Sequence, residues 1–227
     1  HGVTWINNAM RNGMYTYLLN VGPTIIAQGG AIGGNGAWAT ISLPVDDTLG
    51  KEMLKKIRTY PEISEVLVFN TEYVGNHYEI ILLPEKFSFE VIEAKMSGSV
   101  WNPLSKESHF MQDYETFFGR KRYAENVAGG YYVVRLALCE YLEKIKKQCT
   151  CLVLREARPE YWAPLGVGIL REATRKAFQS QPEKFENVPQ ALSAIQPRLR
   201  IPIQEFKEKS EILKNYKKQK KITDFFK

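Results

Sequence analysis

The chain has 227 residues, of which 44% are hydrophobic and 12% aromatic, as in folded globular proteins and unlike disordered ones. Its net charge of +6 lies near the C-terminus, because residues 198–227 hold ten Lys or Arg against four acids and residues 1–197 hold 21 of each. No segment reaches the ~18 apolar residues of a transmembrane helix, and the three cysteines show neither zinc-site nor disulfide spacing, so we expect a cytoplasmic protein without a metal or a membrane partner.

The hydrophobic periodicity predicts both strands and helices. In chain order the predicted elements are a strand at 38–43 closed by Pro44, a helix with N-cap candidates Asp46, Asp47 and Thr48 that ends near Tyr60, strands at 66–69 and 78–83 that form a hairpin around Gly75 and Asn76, a short helix at 87–95, a helix at 131–147, a strand at 151–154 and a helix at 167–178. Because helices are mixed with strands and two strands are adjacent, we expect an α+β fold, a mixed sheet with packed helices.

Composition divides the chain into four segments. Residues 1–36 are rich in Gly and Asn, match no phosphate-binding motif and have no assigned role. Residues 37–181 form the expected α+β body, and residues 182–204 read as a Pro/Gln-rich linker. Residues 205–227 are mostly charged with few apolar residues, which predicts a flexible basic C-terminal arm.

Several residue types with functional potential directly follow the strand at 151–154, where α/β proteins often place their sites. The candidates are Arg155, Glu156, Arg158, Glu160 and Trp162. An arginine here could grip a phosphate, a glutamate could act as a general base, and the tryptophan could stack on a base. Surface Arg–Glu pairs beside a buried tryptophan would explain the same residues.

Two other stretches contain candidate ligand-binding residues. Asp113 and Arg120 belong to a region where carboxylates and basic residues mix without a clear period. Gly129, Gly130 and Tyr131 open the long helix, whose first N–H groups could receive an anion. A tight turn before the helix is the alternative explanation for the two glycines.

The C-terminal residues place apolar side chains where we expect no core to receive them. Ile222, Phe225 and Phe226 stand at i, i+3 and i+4, so a single helical turn would gather them on one side, with Gln219 three residues earlier. The pattern Q-x-x-I-x-x-F-F, which also includes Thr223 and Asp224, resembles the PIP box that docks repair proteins on the sliding clamp PCNA. A tail that folds back onto its own body is the alternative.

A second resemblance rests on residues throughout the body. The motifs are V-D-D-T-L-G at 45–50, Y-V-G-N at 73–76, G-R-K-R-Y-A at 119–124, A-G-G-Y-Y at 128–132, and L-R-E at 154–156 followed by P-L-G-V at 164–167. They resemble the archaeal Nre family of DNA repair proteins over roughly residues 40–227, the C-terminal half of a family member. The resemblance implies a repair process, and a C-terminal PIP box is common in that family.

Three hypotheses follow. The first is a DNA repair factor recruited to PCNA through its PIP box. The second is an enzyme that processes nucleotides or nucleic acids, with its site around the Arg155–Glu156 loop. The third is a non-enzymatic repair adaptor. Other repair proteins, DNA and nucleotides are therefore open as partners, and the sequence identifies no cofactor.

Overall fold

The computed structural model describes residues 36–161 and 166–216, with side chains from residue 45 onward. Residues 1–35 and Trp162 lie outside these ranges. The predicted PIP box residues also lie outside them: Gln219, Ile222, Thr223, Asp224, Phe225 and Phe226.

Within the described ranges, a six-stranded sheet forms the centre of the protein. The elements in chain order are α1 (Gly36–Ile57), β1 (Val66–Tyr73), β2 (Asn76–Leu83), β3 (Ser88–Lys95), β4 (His109–Glu115), α2 (Gly129–Ile145), β5 (Thr150–Ala157), α3 (Val167–Ala177), β6 (Glu183–Phe185), α4 (Val188–Ile195), a 3₁₀ turn (Gln196–Arg198), α5 (Ile203–Lys209) and α6 (Glu211–Tyr216). The strand order is β4-β3-β5-β2-β1-β6. β3 and β5 run parallel and the other pairs are antiparallel, so the sheet is mixed and the α+β prediction is confirmed.

Helices cover both faces of the sheet. The front face packs against α1, α2 and α3 in one core cluster, whose members include Phe89, Val91 and Val153 of the sheet and Leu138 and Leu170 of the helices. The back face packs against α4, α5 and α6 in a second cluster. Because side chains alternate along a strand, neighbouring residues of β5 serve different cores, and all of its residues are buried. None of the described helices combines the length and the apolar character that crossing a bilayer requires.

Several predicted elements are confirmed. The hairpin is β1–β2, in which Tyr73 pairs with Asn76 and Gly75 adopts a positive φ of 70°. A Cβ at Gly75 would lie 2.2 Å from the backbone nitrogen of Tyr161. The position therefore requires glycine for this close approach as well as for its positive φ. The helices at 131–147 and 167–178 correspond to α2 and α3, and the short strand at 151–154 extends to β5.

Three predictions for the N-terminal half are wrong. Residues 38–43 belong to α1, and Asp46 and Asp47 lie inside that helix instead of capping it. Residues 88–95 form β3, although Glu, Ala and Lys favour a helix. Phe89 and Val91 of this strand face the front core while Ile92 and Ala94 face the back core, so burial on two sides outweighs local propensity.

The expected linker and loose arm are also corrected by the structure. Residues 182–204 contain β6, which extends the sheet, and α4, whose N-cap Asn187 accepts a 3.0 Å bond from the Gln190 amide. Proline in the first turn of α4 favours a helix start, so a Pro-rich composition misled the prediction. Beyond residue 204, Phe206, Ile212 and Leu213 are buried against the back face. The folded body therefore continues to Tyr216.

Candidate functional site

Arg155 and Glu156, the centre of the predicted site, lie on opposite faces of the sheet. On the front face, Arg155 Nη1 is 2.6 Å from Glu93 Oε2, and its Nε and Nη2 donate to Asn76 Oδ1. On the back face, Glu156 Oε1 accepts 2.8 Å bonds from the backbone amides of Arg200 and Ile201. The alternation of a β-strand separates the two side chains, so they cannot converge on one ligand.

The other described charges of this segment are also engaged within the protein. Arg158 is buried, donates to Glu156 Oε2 at 2.7 Å and to the Arg198 carbonyl at 2.6 Å, and contacts Glu72 Oε2 at 2.6 Å. Glu160 is exposed and pairs with Arg200 at 2.8 Å, and the hydrogen bond from Arg200 lowers the pKa of its carboxyl. These contacts hold the chain around Arg198–Ile201 against the end of β5.

Three of the predicted residues do come together on the front face. Asp113 Oδ2 accepts bonds from the amides of Asn126 and Val127 at 3.0 and 2.7 Å, and its Oδ1 is 2.9 Å from Arg120 Nη2. The Arg120 guanidinium lies 5.3 Å from the centre of the Tyr131 ring. Asp113, Arg120 and Tyr131 thus fix the loop that joins β4 to α2.

The glycines at the start of α2 are explained by packing. A Cβ at Gly130 would lie 3.3 Å from both Leu170 and Val127, and the Gly130 and Tyr131 amides already bond to the Val127 and Ala128 carbonyls at 3.2 Å. Gly129 is the first residue of the helix. Because two of the first N–H groups are satisfied within the turn, the helix start favours the tight-turn alternative over an anion cradle.

Buried Arg135 of α2 was missed by the sequence reading. Its Nη1 lies 3.1 Å from Glu115 Oε2, and its Nη2 donates to Asp47 Oδ1. Burial raises the pKa of Glu115, and Arg135 opposes that shift. For Asp47, burial would raise the pKa, but hydrogen bonds from Lys51 and Arg135 bring it below the usual range. The signal in the sequence was an arginine among the apolar residues of an inner helix face.

Asp46 forms a separate buried pair. Its Oδ1 lies 3.0 Å from Arg171 Nη1, which joins α1 to α3, whereas Asp47 joins α1 to α2. Burial raises the pKa of Asp46 although Arg171 opposes the shift. Two adjacent aspartates therefore attach α1 to two different helices, which explains why neither acts as a cap.

A cavity of about 350 Å³, which we call the basic cavity, opens between α1 and the β4–α2 loop. Besides Arg120 and Arg135, its cationic lining residues are Lys51, Lys55, Arg58, Lys121 and Arg122, against two acids, Asp47 and Glu115. Lys51 and Lys55 of α1, and Arg58 directly after it, were not predicted, although their spacing of four and three residues is that of one side of a helix. The cavity therefore unites a predicted basic loop with an unpredicted basic helix face.

Two aromatic residues line the basic cavity and are exposed. Phe118 is 91% exposed and Tyr123 is 53% exposed. Among residues 36–161 and 166–216 there is no group of three His, Cys, Asp or Glu side chains that could hold a metal ion. The chemistry that this arrangement offers is the binding of an anion beside an aromatic surface.

Two models of one protein family match the chain. The model described as archaeal Nre, N-terminal, matches residues 38–102, and the model described as archaeal Nre, C-terminal, matches residues 115–225. The motifs indicated a resemblance to the C-terminal half of a family member. The matches show that residues of this chain also correspond to the N-terminal model.

The curated relatives are longer than this chain. The DNA repair protein NreA of Archaeoglobus fulgidus is 40% identical over 155 residues, which are 68% of this chain and 39% of that protein. NreA of Haloferax volcanii is 33% identical over 167 residues, 73% of this chain and 40% of that protein. NreB of Archaeoglobus fulgidus is 35% identical over 177 residues, 78% and 44% respectively. The chain thus spans about two fifths of these relatives, and no solved structure matches it.

Proposed function

Because the chain belongs to the archaeal Nre family, we propose that it acts in DNA repair and is recruited to the PCNA sliding clamp through a C-terminal PIP box. The repair role is supported by the relatives, each of which is named a DNA repair protein. Recruitment to the clamp is supported by the pattern formed by Gln219, Ile222, Phe225 and Phe226, with Thr223 and Asp224 between them.

The residue types of this motif support a role in docking. The motif begins at Gln219, three positions after Tyr216 of α6. Burial of one isoleucine and two phenylalanines in a partner's pocket would contribute on the order of 5 kcal/mol before ordering costs, which suits a micromolar peptide dock. The basic residues before the motif would favour an acidic partner surface.

Calorimetric titration of the clamp with the full chain tests this proposal. The Phe225→Ala/Phe226→Ala variant should lose the binding heat, because both aromatic anchors are removed. Leu104→Ala is the matched control, since Leu104 is a 95% exposed apolar residue of the body and should not matter. Equal affinity of the double variant and the unaltered chain would refute recruitment through this motif.

The alternative, a tail that folds back onto the body, has a specific place to bind. A largely apolar groove of about 600 Å³ is lined by Leu192, Ile203, Leu213 and Tyr216, and Tyr216 is also the last described residue. If the tail occupied this groove, the double variant would lower the melting temperature of the isolated protein. Clamp recruitment instead predicts an unchanged melting temperature together with lost clamp binding.

The enzyme hypothesis centred on the Arg155–Glu156 loop receives less support from the geometry. Arg155 and Glu156 face different cores, and each already has partners inside the protein. A non-enzymatic adaptor needs no such site, and the apolar groove would suit a protein partner. A melting temperature that responds to no nucleotide or DNA would favour the adaptor.

A further inference from the structure

We propose that the basic cavity binds single-stranded DNA, with a backbone phosphate at Arg58, Lys121 and Arg122 and an unstacked base against Phe118 and Tyr123. The choice of DNA rests on the proposed repair function. The site itself does not involve the C-terminal tail, so it stands or falls independently of clamp binding.

The charges of the basic cavity are not balanced by the described residues. Its two acids, Asp47 and Glu115, are both paired with Arg135, and Asp47 also pairs with Lys51 at 2.7 Å. Arg120 pairs with Asp113 at 2.9 Å, and Lys55 pairs with Glu52 at 2.7 Å. No described carboxylate forms an ion pair with Arg58, Lys121 or Arg122, although Glu115 attracts Arg58 at longer range, so an anionic ligand would relieve the repulsion among them.

Arg58 is held in place without an acidic partner. Its guanidinium lies 5.6 Å from the ring centre of Phe117 and 5.8 Å from that of Phe87. Its Nε is buried and has no hydrogen-bond partner among the described residues. A positioned guanidinium with unused donors is the group that proteins use to bind phosphate.

The loop opposite Arg58 contains a turn whose backbone conformation favours glycine at position 119. This glycine has a φ of 81°, its amide bonds to the Thr116 carbonyl at 2.8 Å, and a Cβ on it would lie 3.5 Å from Arg58 Nη2. The resulting tight turn places Lys121 and Arg122 on the same cavity as α1. The cationic groups therefore come from two elements that the fold holds together.

The exposed aromatic residues indicate that the anionic ligand also carries a flat ring that can stack. Phe118 is 91% exposed and contacts Phe117 edge to face, with 5.6 Å between the ring centres. Tyr123 packs against Tyr132, with 5.4 Å between the ring centres. Exposed rings beside a cationic groove are the usual stacking platforms of proteins that bind single strands. Duplex DNA keeps its bases stacked on each other, so only an unpaired strand can use these rings.

The size of the basic cavity agrees with this ligand. Its volume of about 350 Å³ lies near the lower end of the roughly 300–1,000 Å³ of small-ligand sites. One nucleotide of a strand fits such a volume and a double helix does not. The rest of the strand would then follow the exposed basic residues of the loop.

Fluorescence anisotropy of a labelled oligothymidine with the full chain tests the proposal. The Lys121→Gln/Arg122→Gln variant should bind at least tenfold more weakly with a smaller salt dependence, because two phosphate contacts are lost. Both residues are exposed on a loop, so the change should leave the fold intact. Arg58→Gln should have a similar effect, and its melting temperature is checked because Arg58 packs against two rings.

Two further variants separate the base from the phosphate and the body from the tail. Phe118→Ala should weaken binding several-fold while the salt dependence stays the same. Lys106→Gln, a change at an exposed lysine outside the cavity, is the matched control and should have no effect. A variant with Lys217, Lys218, Lys220 and Lys221 changed to Gln reports what the basic tail contributes, which should be under threefold.

The following results would overturn the proposal. Loss of binding in the tail variant with none in the cavity variants would assign DNA binding to the tail. Equal affinity for duplex and single strand with no effect of Phe118→Ala would rule out base stacking. If free thymidine monophosphate raised the melting temperature but the oligonucleotide did not bind, DNA would be excluded as the ligand. If an acidic peptide bound and the oligonucleotide did not, the cavity would be a protein-binding site. The clamp titration should be unchanged in every cavity variant.

Discussion

The two faces of the sheet stabilise their buried carboxylates in different ways. On the front face, Glu93 and Glu115 pair with arginines, Arg155 on a neighbouring strand and Arg135 on α2. On the back face, carboxylates from three adjacent strands hold the C-terminal segment instead. Glu79 pairs with Arg198 at 2.7 Å, Glu156 accepts from the Arg200 and Ile201 amides at 2.8 Å, and Glu90 accepts from Ser210 Oγ at 2.6 Å and from the Glu211 and Ile212 amides at 2.8 and 3.1 Å.

This difference shows how a buried charge can set position. An unpaired buried carboxylate is costly, so each of the three back-face glutamates requires its partners to be in place. Because the partners follow one another between residues 198 and 212, the glutamates fix where that segment crosses the sheet. On the front face, the pair of Glu93 with Arg155 instead joins two strands, and the pair of Glu115 with Arg135 fixes α2 beside the basic cavity.

The largest test of this comparison is truncation of the chain at two points. Ending the chain after Pro202 removes Phe206, Ile212 and Leu213, whose burial is worth ~1.5–3 kcal/mol each, and leaves Glu90 without its C-terminal partners. We expect a chain that unfolds at much lower urea concentration or aggregates. Ending it after Tyr216 should leave the urea midpoint almost unchanged, and equal loss in both chains would contradict the role given to the back-face helices.

Removal of the front-face arginine should have the next largest effect. Arg135→Met leaves Asp47 and Glu115 without their shared partner, which should cost ~3–5 kcal/mol at neutral pH. Urea unfolding measures this loss. Arg122→Met, at a residue that makes no ion pair with the described residues, is the matched control and should cost almost nothing.

The same variant should depend on pH in a defined direction. Burial already raises the pKa of Glu115 above its ordinary value of 4.5, and Arg135 is the main opposing group, so its removal should raise that pKa further. A carboxyl whose folded pKa exceeds the unfolded one stabilises the fold when protonated and loses that contribution as pH rises through the folded pKa. The deficit of Arg135→Met should therefore be smaller at pH 5 than at pH 7.5. A deficit that is larger at pH 5 would contradict this account of Glu115.

The smallest effect concerns a single hydroxyl on the back face. Ser210 Oγ donates to Glu90 and accepts from the Leu213 amide at 3.0 Å, so it also caps α6. Ser210→Ala should cost ~1–2 kcal/mol and should speed hydrogen exchange in α6 without changing it in β2 or β5. Ser105→Ala removes only two exposed local bonds, both to the Glu107 backbone, and serves as the control. Uniformly faster exchange would mean that α6 does not open separately.

Local patterns were enough for elements whose partners are close in sequence. The β1–β2 hairpin follows from two apolar runs around Gly75 and Asn76, and α2 follows from the period of Val134, Leu138 and Leu142. Given these elements, the α+β class could be predicted. The family resemblance indicated a repair process, which the composition did not.

Elements stabilised by distant partners could not be predicted in this way. Glu90 and Glu93 resemble solvent-facing residues of a helix until their partners are known, and those partners lie at residues 210–212 and at Arg155. Likewise, Asp46 and Asp47 look like caps because their arginines lie on other helices. The charged residues of α5 and α6 concealed the three apolar residues that pack on the sheet.

The candidate site was predicted in part for the same reason. The basic loop that contains Arg120 was recognised because its charges are consecutive in sequence, whereas the α1 residues that face it are more than sixty positions earlier. Arg155 and Glu156 were grouped because they are neighbours in sequence, although a strand places neighbours on opposite faces. Sequence proximity thus grouped two residues that the fold separates.

The attachment of α6 to Glu90 has a consequence for geometry at the clamp. Tyr216 ends α6, and Gln219 lies three residues later. A fully extended chain spans roughly 3.3–3.6 Å per residue, so the distance from Tyr216 to the first motif residue is at most about 11 Å. If the proposed motif binds the clamp, the end of α6 must therefore lie within that distance of the first motif residue, and the body must lie close to the clamp surface.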